Sequence, residues 1–543
     1  MFKNFLFVSV IVLFSIVNGS GQVAIRTKAE KSEYKSTSEY KDVIDFIDQL
    51  KTTTENLRVE TIGKSTEGRD IPLLVIGRPV PDSPENLVND TRIVIYIQAN
   101  IHAGEVEGKE ATLMFARDIL KEKNSSLLDK IILLICPIFN PDGNEKISPL
   151  NRTDQNGPVN GVGVRYNGQF LDLNRDAVKA ESPEVRGLLT RVFNRWDPYI
   201  LMDCHTTNGS YHVEPVTFTW MVNPNGDNSL ISYLRDKMMP EISETLLSKY
   251  KVENCFYGEF FDMLDPGRGW VMDASEPRYL VNYYGIRNRL GILNENYIYA
   301  DFKSRVLGCY KLIHSLAEYA SAHSAEIRSL IANADRKTIA RGINLTATDS
   351  FAIDYRVKPA AKEVTVKTFE AELASDSDGR KIFKKTDRQK TVTVPYYIDY
   401  YPFKSVKLPF AYLLTVNDEK IIELLRNHGV KVEKLDEETK IEAERFDVTE
   451  LHGSSRLNQG HYLNNISGKY IESITDFPAG TIVIRMAQPL ANLAAYLLEP
   501  ESNDGLLTWN FLDRYLVPQW GRDYYPYPVC KILKNTVLRT NPF

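Results

Sequence analysis

Histidine is scarce in this chain of 543 residues, with eight in all. One of them stands in "NIHAGEVEG", where Glu105 follows His102 by three residues. The apolar run "RIVIYIQ" precedes the pair and an amphipathic stretch follows it, so both residues sit where a buried strand ends and a helix begins. A second apolar run, "YILMDCH", ends on His205, and a third, "RLGILNENY", carries Glu295. An imidazole and a carboxylate three residues apart, joined by an imidazole about a hundred residues further on, suit a catalytic zinc, which takes three protein ligands and leaves a fourth position for water. Zinc-bound water has a pKa of roughly 7 and becomes a nucleophile once a base takes its proton. Glu295 is the acid placed to do that. An H-x-x-E taken alone is a weak signal and reads more readily as a solvated turn. It is the further histidine at another strand end, in a histidine-poor chain, that argues for the metal.

Those residues meet only if their strands lie side by side, since ligands of an open α/β sheet gather at the carboxyl ends of its strands. The periodicity supplies such a frame. A helix is expected over 39–51, two strands over 58–77 around a turn at Glu67-Gly68, a strand over 92–99 and a helix over 106–122. A strand over 131–139 ends on Asn140-Pro-Asp-Gly and opens a loop rich in Gly, Asn and Asp that runs to Asp172. A helix near 181–195, strands over 199–205 and 289–297, and a helical region over 302–335 complete an α/β domain with a buried central sheet. Glu107 and Glu110 are read as the solvated face of the helix behind the site. Beyond residue 340, "FAIDYRV", "EVTVKTF" and "KTVTVPYYIDYY" alternate Val, Thr and Tyr at period two, around the polar segment "ASDSDGRKIFKKTDRQK" (374–390), and predict a β-rich second domain. "AYLLTV", "DEKIIELLRNHG" and "VKVEKL" predict a strand, a helix and a strand.

Bulk composition excludes more than it assigns. With 43% hydrophobic and 25% charged residues and a net charge of −5, the chain is ordinary globular protein, and no basic excess points to nucleic acid. "MFKNFLFVSVIVLFSIVNGSGQ" has a charged start, a short apolar middle and a small-residue end, the layout of a secretory signal peptide over residues 1–21. Its apolar part falls short of the roughly 20 residues a membrane span needs. No later stretch reads as a span of the mature chain. A secreted or periplasmic protein is expected. The five cysteines form no metal or disulfide pattern and are read as buried and inert.

The motifs "IGKSTEGRDIPLLVIG", "NIHAGEVEG", "NPDG", "LDLNRD" and "DCHTT" together resemble the zinc metallocarboxypeptidase family of the carboxypeptidase A type, over about residues 35–325. The resemblance implies a carboxypeptidase-like fold, a mixed central sheet flanked by helices. It implies one zinc per chain on His102, Glu105 and His205, with Glu295 as general base. It further implies Asp172 orienting His102, Asn174 and Arg175 gripping a terminal carboxylate, and Arg165 meeting the oxyanion, with Arg152 the competitor for that last role. Arg175 has the planar fork that takes a carboxylate bidentately. Departures are Gly104 where carboxypeptidase A has an arginine, and Ala177-Val178 after "LNRD" where better-known branches have Asn and an aromatic. The family's mobile tyrosine has three candidates, Tyr279, Tyr283 and Tyr284. The segment over 488–513 looks like the extension of some secreted bacterial relatives, and "YLLEP" within it is read as packing.

The expected organisation is a signal peptide over 1–21, a catalytic domain over 30–336 and a β-rich accessory domain over 340–543. The expected activity is hydrolysis of peptide bonds at or near a free C-terminal carboxylate, with peptides or proteins as substrates. A zinc amide hydrolase acting on cell-wall peptides or acyl-amino acids would use the same residues. A binding protein that keeps the metal without catalysis is the third reading, against which Glu295 stands.

Overall fold

The computed structural model describes residues 25–543 except 123–125, 208–209, 376–377 and 522. The leader assigned to residues 1–21 lies outside the described residues. The first strands are β1 (Leu57–Lys64), β2 (Asp70–Ile76), β3 (Ile93–Ala99), β4 (Ile131–Cys136), β5 (Ile200–Thr207), β6 (Val216–Trp220) and β7 (Asn254–Phe256). Two short strands follow, β8 (Glu259–Phe260) and β9 (Trp270–Val271), and then β10 (Leu290–Tyr297). All but β8 and β9 join one mixed sheet in the order β1-β2-β4-β3-β5-β10-β6-β7. β4, β3, β5 and β10 run parallel at its centre, and β2 and β6 flank them antiparallel.

The apolar runs form these strands because both faces of the sheet are covered. Every residue of β3 is buried. Its alternate residues Ile93, Ile95, Ile97 and Ala99 pack in one core with Leu113 and Phe115 of the helix Glu107–Lys121 and with Leu312 and Ile313 of the helix Phe302–Ala322. Val94 and Tyr96 point into a second core, as the period of two requires. That second core is filled from far along the chain, by Tyr412, Leu425, Leu493 and Leu497 among others. The helical region expected over 302–335 is two helices, Phe302–Ala322 and Ser324–Ile343, broken at His323. The helix expected near 181–195 is a short α-helix, Pro183–Gly187, that widens into π-helical turns over Leu188–Phe193.

Past residue 340 come β11 (Ser350–Pro359), β12 (Val364–Ser375), β13 (Lys381–Val394), β14 (Tyr396–Lys407), β15 (Ala411–Leu414), β16 (Glu433–Leu435), β17 (Thr439–Asn458), β18 (His461–Phe477), β19 (Ile482–Arg485), β20 (Val529–Ile532) and β21 (Thr540–Pro542). They build a sheet of order β18-β17-β20-β15-β19-β16-β21, a ribbon β12-β13, and a sheet β11-β14-β9-β8 that pairs strands from both sides of residue 340. The polar segment 374–390 is not a plain separator: most of it lies in β13, paired with β12 from Val364↔Val394 to Ser375↔Lys381. A ribbon hydrogen-bonds to itself, and β13 is exposed along most of its length. No apolar alternation therefore marks it in the sequence. Among the described residues, no helix is long and apolar enough to cross a membrane.

Candidate functional site

The site forms where β3, β5 and β10 end. After β3 the chain turns through Asn100, whose φ of 65° is tolerated by asparagine. Asn100 Nδ2 donates to the carbonyls of Ala103 and Glu105 at 3.2 and 3.3 Å. Glu105 N donates to His102 O at 2.9 Å, closing a tight turn that folds the two side chains toward each other. His205 lies on β5, and the parallel register sets Glu295 of β10 directly beside it. Residues opposite one another in a parallel pair share a face. The backbone thus brings all four together.

The first three are buried, at 2–3% exposure, and converge on one point. His102 Nδ1 is 3.1 Å from Glu105 Oε1, while His205 Nδ1 is 3.0 Å from Glu105 Oε2 and 3.2 Å from His102 Nδ1. The outer nitrogens are tied to carboxylates: His102 Nε2 to Asp172 Oδ1 at 2.9 Å, and His205 Nε2 to Asp203 Oδ2 at 2.8 Å. With each Nε2–H donated to its carboxylate, both Nδ1 atoms present lone pairs to each other and to Glu105. Such a knot of acceptors in a buried site is relieved by a cation at its centre, and carboxylates behind imidazoles are what orient metal-binding histidines. The donor set fits zinc.

The charges agree with this. Burial would raise the Glu105 carboxyl, but His102 and Arg152 outweigh it and hold the group well below the usual carboxylate range. Asp172 is held low in the same way, His102 and Arg165 overriding burial. At His205 burial opposes a proton, yet Asp203 and Glu105 raise the proton affinity of the ring well above its ordinary value. Glu295 is the exception. Burial, helped by Glu105, pushes its carboxyl up to about 8 against the pull of His205 and Arg165.

His102, Glu105, Glu295, Arg165, Asn174 and Arg175 all line one cavity of about 220 Å³. Asp172 sits behind it as the cap of the turn Leu173–Arg175, its Oδ1 accepting from Asn174 N at 2.9 Å. Asn174 Oδ1 accepts from Leu280 N at 2.9 Å, and the Arg175 guanidinium lies 4.2 Å from the centre of the Tyr279 ring. Arg165 is bound through Nε to Asp172 Oδ2 at 2.7 Å. Arg152, its competitor, does not line the cavity and is engaged by Gln155, Glu105 and the carbonyl of Thr206. Gly104 has a reason. A Cβ there would come within 2.6 Å of Arg152 Cδ and 2.9 Å of Gly163 O, so Arg152 fills the space that a side chain at 104 would need. Of the three tyrosines, Tyr279 lines the cavity, whereas Tyr283 and Tyr284 are buried and bonded to His428 and the carbonyl of Pro198.

Glu107 and Glu110 are not a solvated face. Both are buried, at 1% and 0% exposure. Glu110 accepts hydrogen bonds from Thr37, from Ser38 and from Ala29 N, and Glu107 accepts from the Thr206 hydroxyl beside His205 and faces Arg305 at 3.6 Å. The N-terminal segment covers this side of the helix, which helical periodicity cannot foretell. Asp203 belongs to none of the site motifs, although its place two residues before His205 on one strand puts it on the same face. Tyr257, also on the cavity wall, comes from a stretch without a motif.

The sequence profile described as zinc carboxypeptidase matches residues 43–190, a span that holds His102, Glu105, Arg165, Asp172, Asn174 and Arg175 but stops short of His205 and Glu295. The chain is similar to carboxypeptidase 2 of Trichophyton tonsurans, 22% identical over 473 residues that cover 85% of this chain and 81% of the relative. The same protein of Trichophyton rubrum is 22% identical over 486 residues, covering 85% and 81%. Among solved structures, a metallo-carboxypeptidase from Pseudomonas aeruginosa is similar at 20% identity, over 54% of this chain and 70% of the other, with a TM-score of 0.38.

Proposed function

We propose, for a chain that carries a zinc carboxypeptidase domain and is a zinc metallopeptidase, that it removes residues from the C-terminal end of peptides, using one zinc ion held by His102, Glu105 and His205. The observation that carries this reading is the shared cavity, which Asn174 and Arg175, a pair suited to a carboxylate, line together with Glu295, His102 and Glu105. Zinc in such a site supplies Lewis acidity, making water a better nucleophile and a carbonyl a better electrophile. Glu295 accepts the proton of the attacking water and hands it to the leaving amine. Its burial raises its basicity, which favours the first transfer. Arg165, kept charged and fixed by Asp172, meets the negative charge that grows on the carbonyl oxygen. Arg175 and Asn174 hold the substrate's terminal carboxylate and so fix which bond reaches Glu295. Tyr279, stacked on Arg175, closes that side of the cavity.

Residues 30–336 carry this chemistry and 340–543 brace it. Supporting that division of labour, Gln459 Oε1 accepts from Asp172 N at 2.7 Å, and Asp504 accepts from Arg278 N, next to Tyr279, at 2.7 Å. The leader-like residues 1–21 support export from the cytoplasm. The test is a pair of substrates, one peptide with a free C-terminus and the same peptide amidated. Arg175→Ala is expected to cut kcat/KM for the free acid by about 10- to 100-fold, since a charge-assisted pair is worth roughly 1.5–3 kcal/mol, and to leave the amide nearly unchanged. Equal losses on both substrates would turn the reading toward an amide hydrolase that needs no free carboxylate.

A further inference from the structure

A second cluster of ligating side chains lies in the interior, and none of its members lines the catalytic cavity. His212 and Glu214 stand on the segment that leads into β6, and Cys255 lies in β7, where it pairs with Thr217. All three are buried, at 2%, 3% and 6% exposure. One ligand atom from each, a ring nitrogen, a carboxylate oxygen and the thiol sulfur, lies within 4.8 Å of the other two.

Two features of this cluster are costly as they stand. His212 Nδ1 is buried and has no hydrogen-bond partner among the described residues; Glu214 Oε2 is 3.6 Å from it, too far for a hydrogen bond. Glu214 accepts from Lys367 N at 2.8 Å and Val213 N at 3.3 Å. Its one ionic partner among the described residues is that same imidazole. A buried carboxylate with no close cation and an orphaned imidazole nitrogen each cost free energy. The His212 ring also lies against Tyr297, 3.7 Å between ring centres, and the backbone N–H of His212 donates to the Tyr297 hydroxyl at 3.0 Å.

We propose that His212, Glu214 and Cys255 bind a second zinc ion, a structural one, through the imidazole Nδ1, the carboxylate and the sulfur. A mixed nitrogen, oxygen and sulfur donor set suits zinc among the common biological cations. On binding, the Cys255 thiol releases its proton to solvent. The thiolate and the Glu214 carboxylate then balance the dication, and the buried site becomes neutral. The ion ties β6 and β7 to β12, because Glu214 is bonded to Lys367 and His212 is bridged to Thr368. It therefore pins the β12-β13 ribbon to the edge of the main sheet.

The test uses the full chain. Stripped of metal and reloaded with zinc, wild type should bind two equivalents, and Cys255→Ser, His212→Gln and His205→Ala one each. Loaded with Co²⁺, wild type and His205→Ala should show the near-ultraviolet thiolate-to-cobalt charge-transfer band, which Cys255→Ser loses, since the catalytic ligands include no sulfur. Zinc added to metal-free His205→Ala should raise its Tm, giving a readout that does not need the Cys255 variant to fold. One equivalent in wild type, a sulfur band that survives in Cys255→Ser, or no Tm shift in His205→Ala would overturn the proposal.

Discussion

Glu295 is pulled in two directions. The sheet register sets it half-buried beside His205 and close to the negative Glu105, which raises its proton affinity, while His205 and Arg165 draw the proton off. A carboxylate in that balance is a stronger base than one in water and still ionises near neutral pH. Glu295→Gln keeps the shape of the side chain and removes the base. The variant should bind zinc as wild type does and lose about 10²–10⁴-fold in kcat with little change in KM, because general-base help is worth that much and acts in the transition state. Steady-state kinetics beside metal analysis decides it: wild-type kcat in zinc-loaded Glu295→Gln would place the base elsewhere. Arg152 and Arg165 show the same dependence on surroundings. Both reach Glu105, at 3.0 and 3.7 Å, but only Arg165 lines the cavity.

At the scale of elements, the helix Glu107–Lys121 must lie hard against β3 and β5, because His102 and Glu105 lead into it and His205 lies on the sheet beneath it. Gly108 permits that approach. A Cβ there would fall 2.6 Å from the Cβ of Cys204 and 3.1 Å from the Cβ of Ala99, atoms fixed to the backbone that cannot swing aside. Gly108→Ala should therefore destabilise the protein by about 1–3 kcal/mol, the usual cost of overpacking, despite alanine's better helix propensity. It should also weaken zinc binding, since Cys204 adjoins His205. Denaturant unfolding together with zinc titration would test this, and unchanged stability and affinity would show that the helix has room to move. Glu107 reinforces the contact from the same turn of helix through Thr206.

At the scale of the molecule, the C-terminal half completes the second face of the catalytic sheet, and His428 is one of the joints. It follows the helix Glu419–Asn427 and is buried. Its Nδ1 accepts from the Tyr283 hydroxyl at 2.7 Å, and its Nε2 donates to Val178 O at 2.8 Å. Burial, aided by Arg287, pushes the ring down to about 3, so the folded protein keeps it neutral. The unfolded chain takes up a proton there as pH falls below about 6.5. The stability this group contributes is thus full above pH 6.5 and is lost progressively as pH falls toward 3, at up to about 1.4 kcal/mol per pH unit. His428→Gln is expected to be less stable at neutral pH and to show a shallower fall between those limits. Parallel slopes of unfolding free energy against pH for the two proteins would remove His428 from the acid sensitivity. At the far end of the same half, the turn between β17 and β18 carries Gln459 at a φ of 54° and lays its side chain on Asp172, while His461 reaches Glu181 at 2.9 Å.

The sequence by itself determined the central strands, the turn that holds His102 and Glu105, and the strand-borne positions of His205 and Glu295. Buried strands must be apolar throughout, and a ligand pair three residues apart needs only a local turn, so both leave a mark within a few neighbouring residues. The order of strands that brings His205 beside Glu295 is a matter of register and was fixed by folding. So was the burial of Glu107 and Glu110, whose partners Thr37, Ser38 and Arg305 come from segments distant in the chain. Asp203 lay between these cases, legible in the alternation of β5. The Gln459 contact lies 287 residues from Asp172 in the chain. The cluster of His212, Glu214 and Cys255 likewise depends on β6 and β7 pairing side by side. Local patterns record which face of an element is buried; what covers that face, and which polar groups meet across it, is decided when the elements pack.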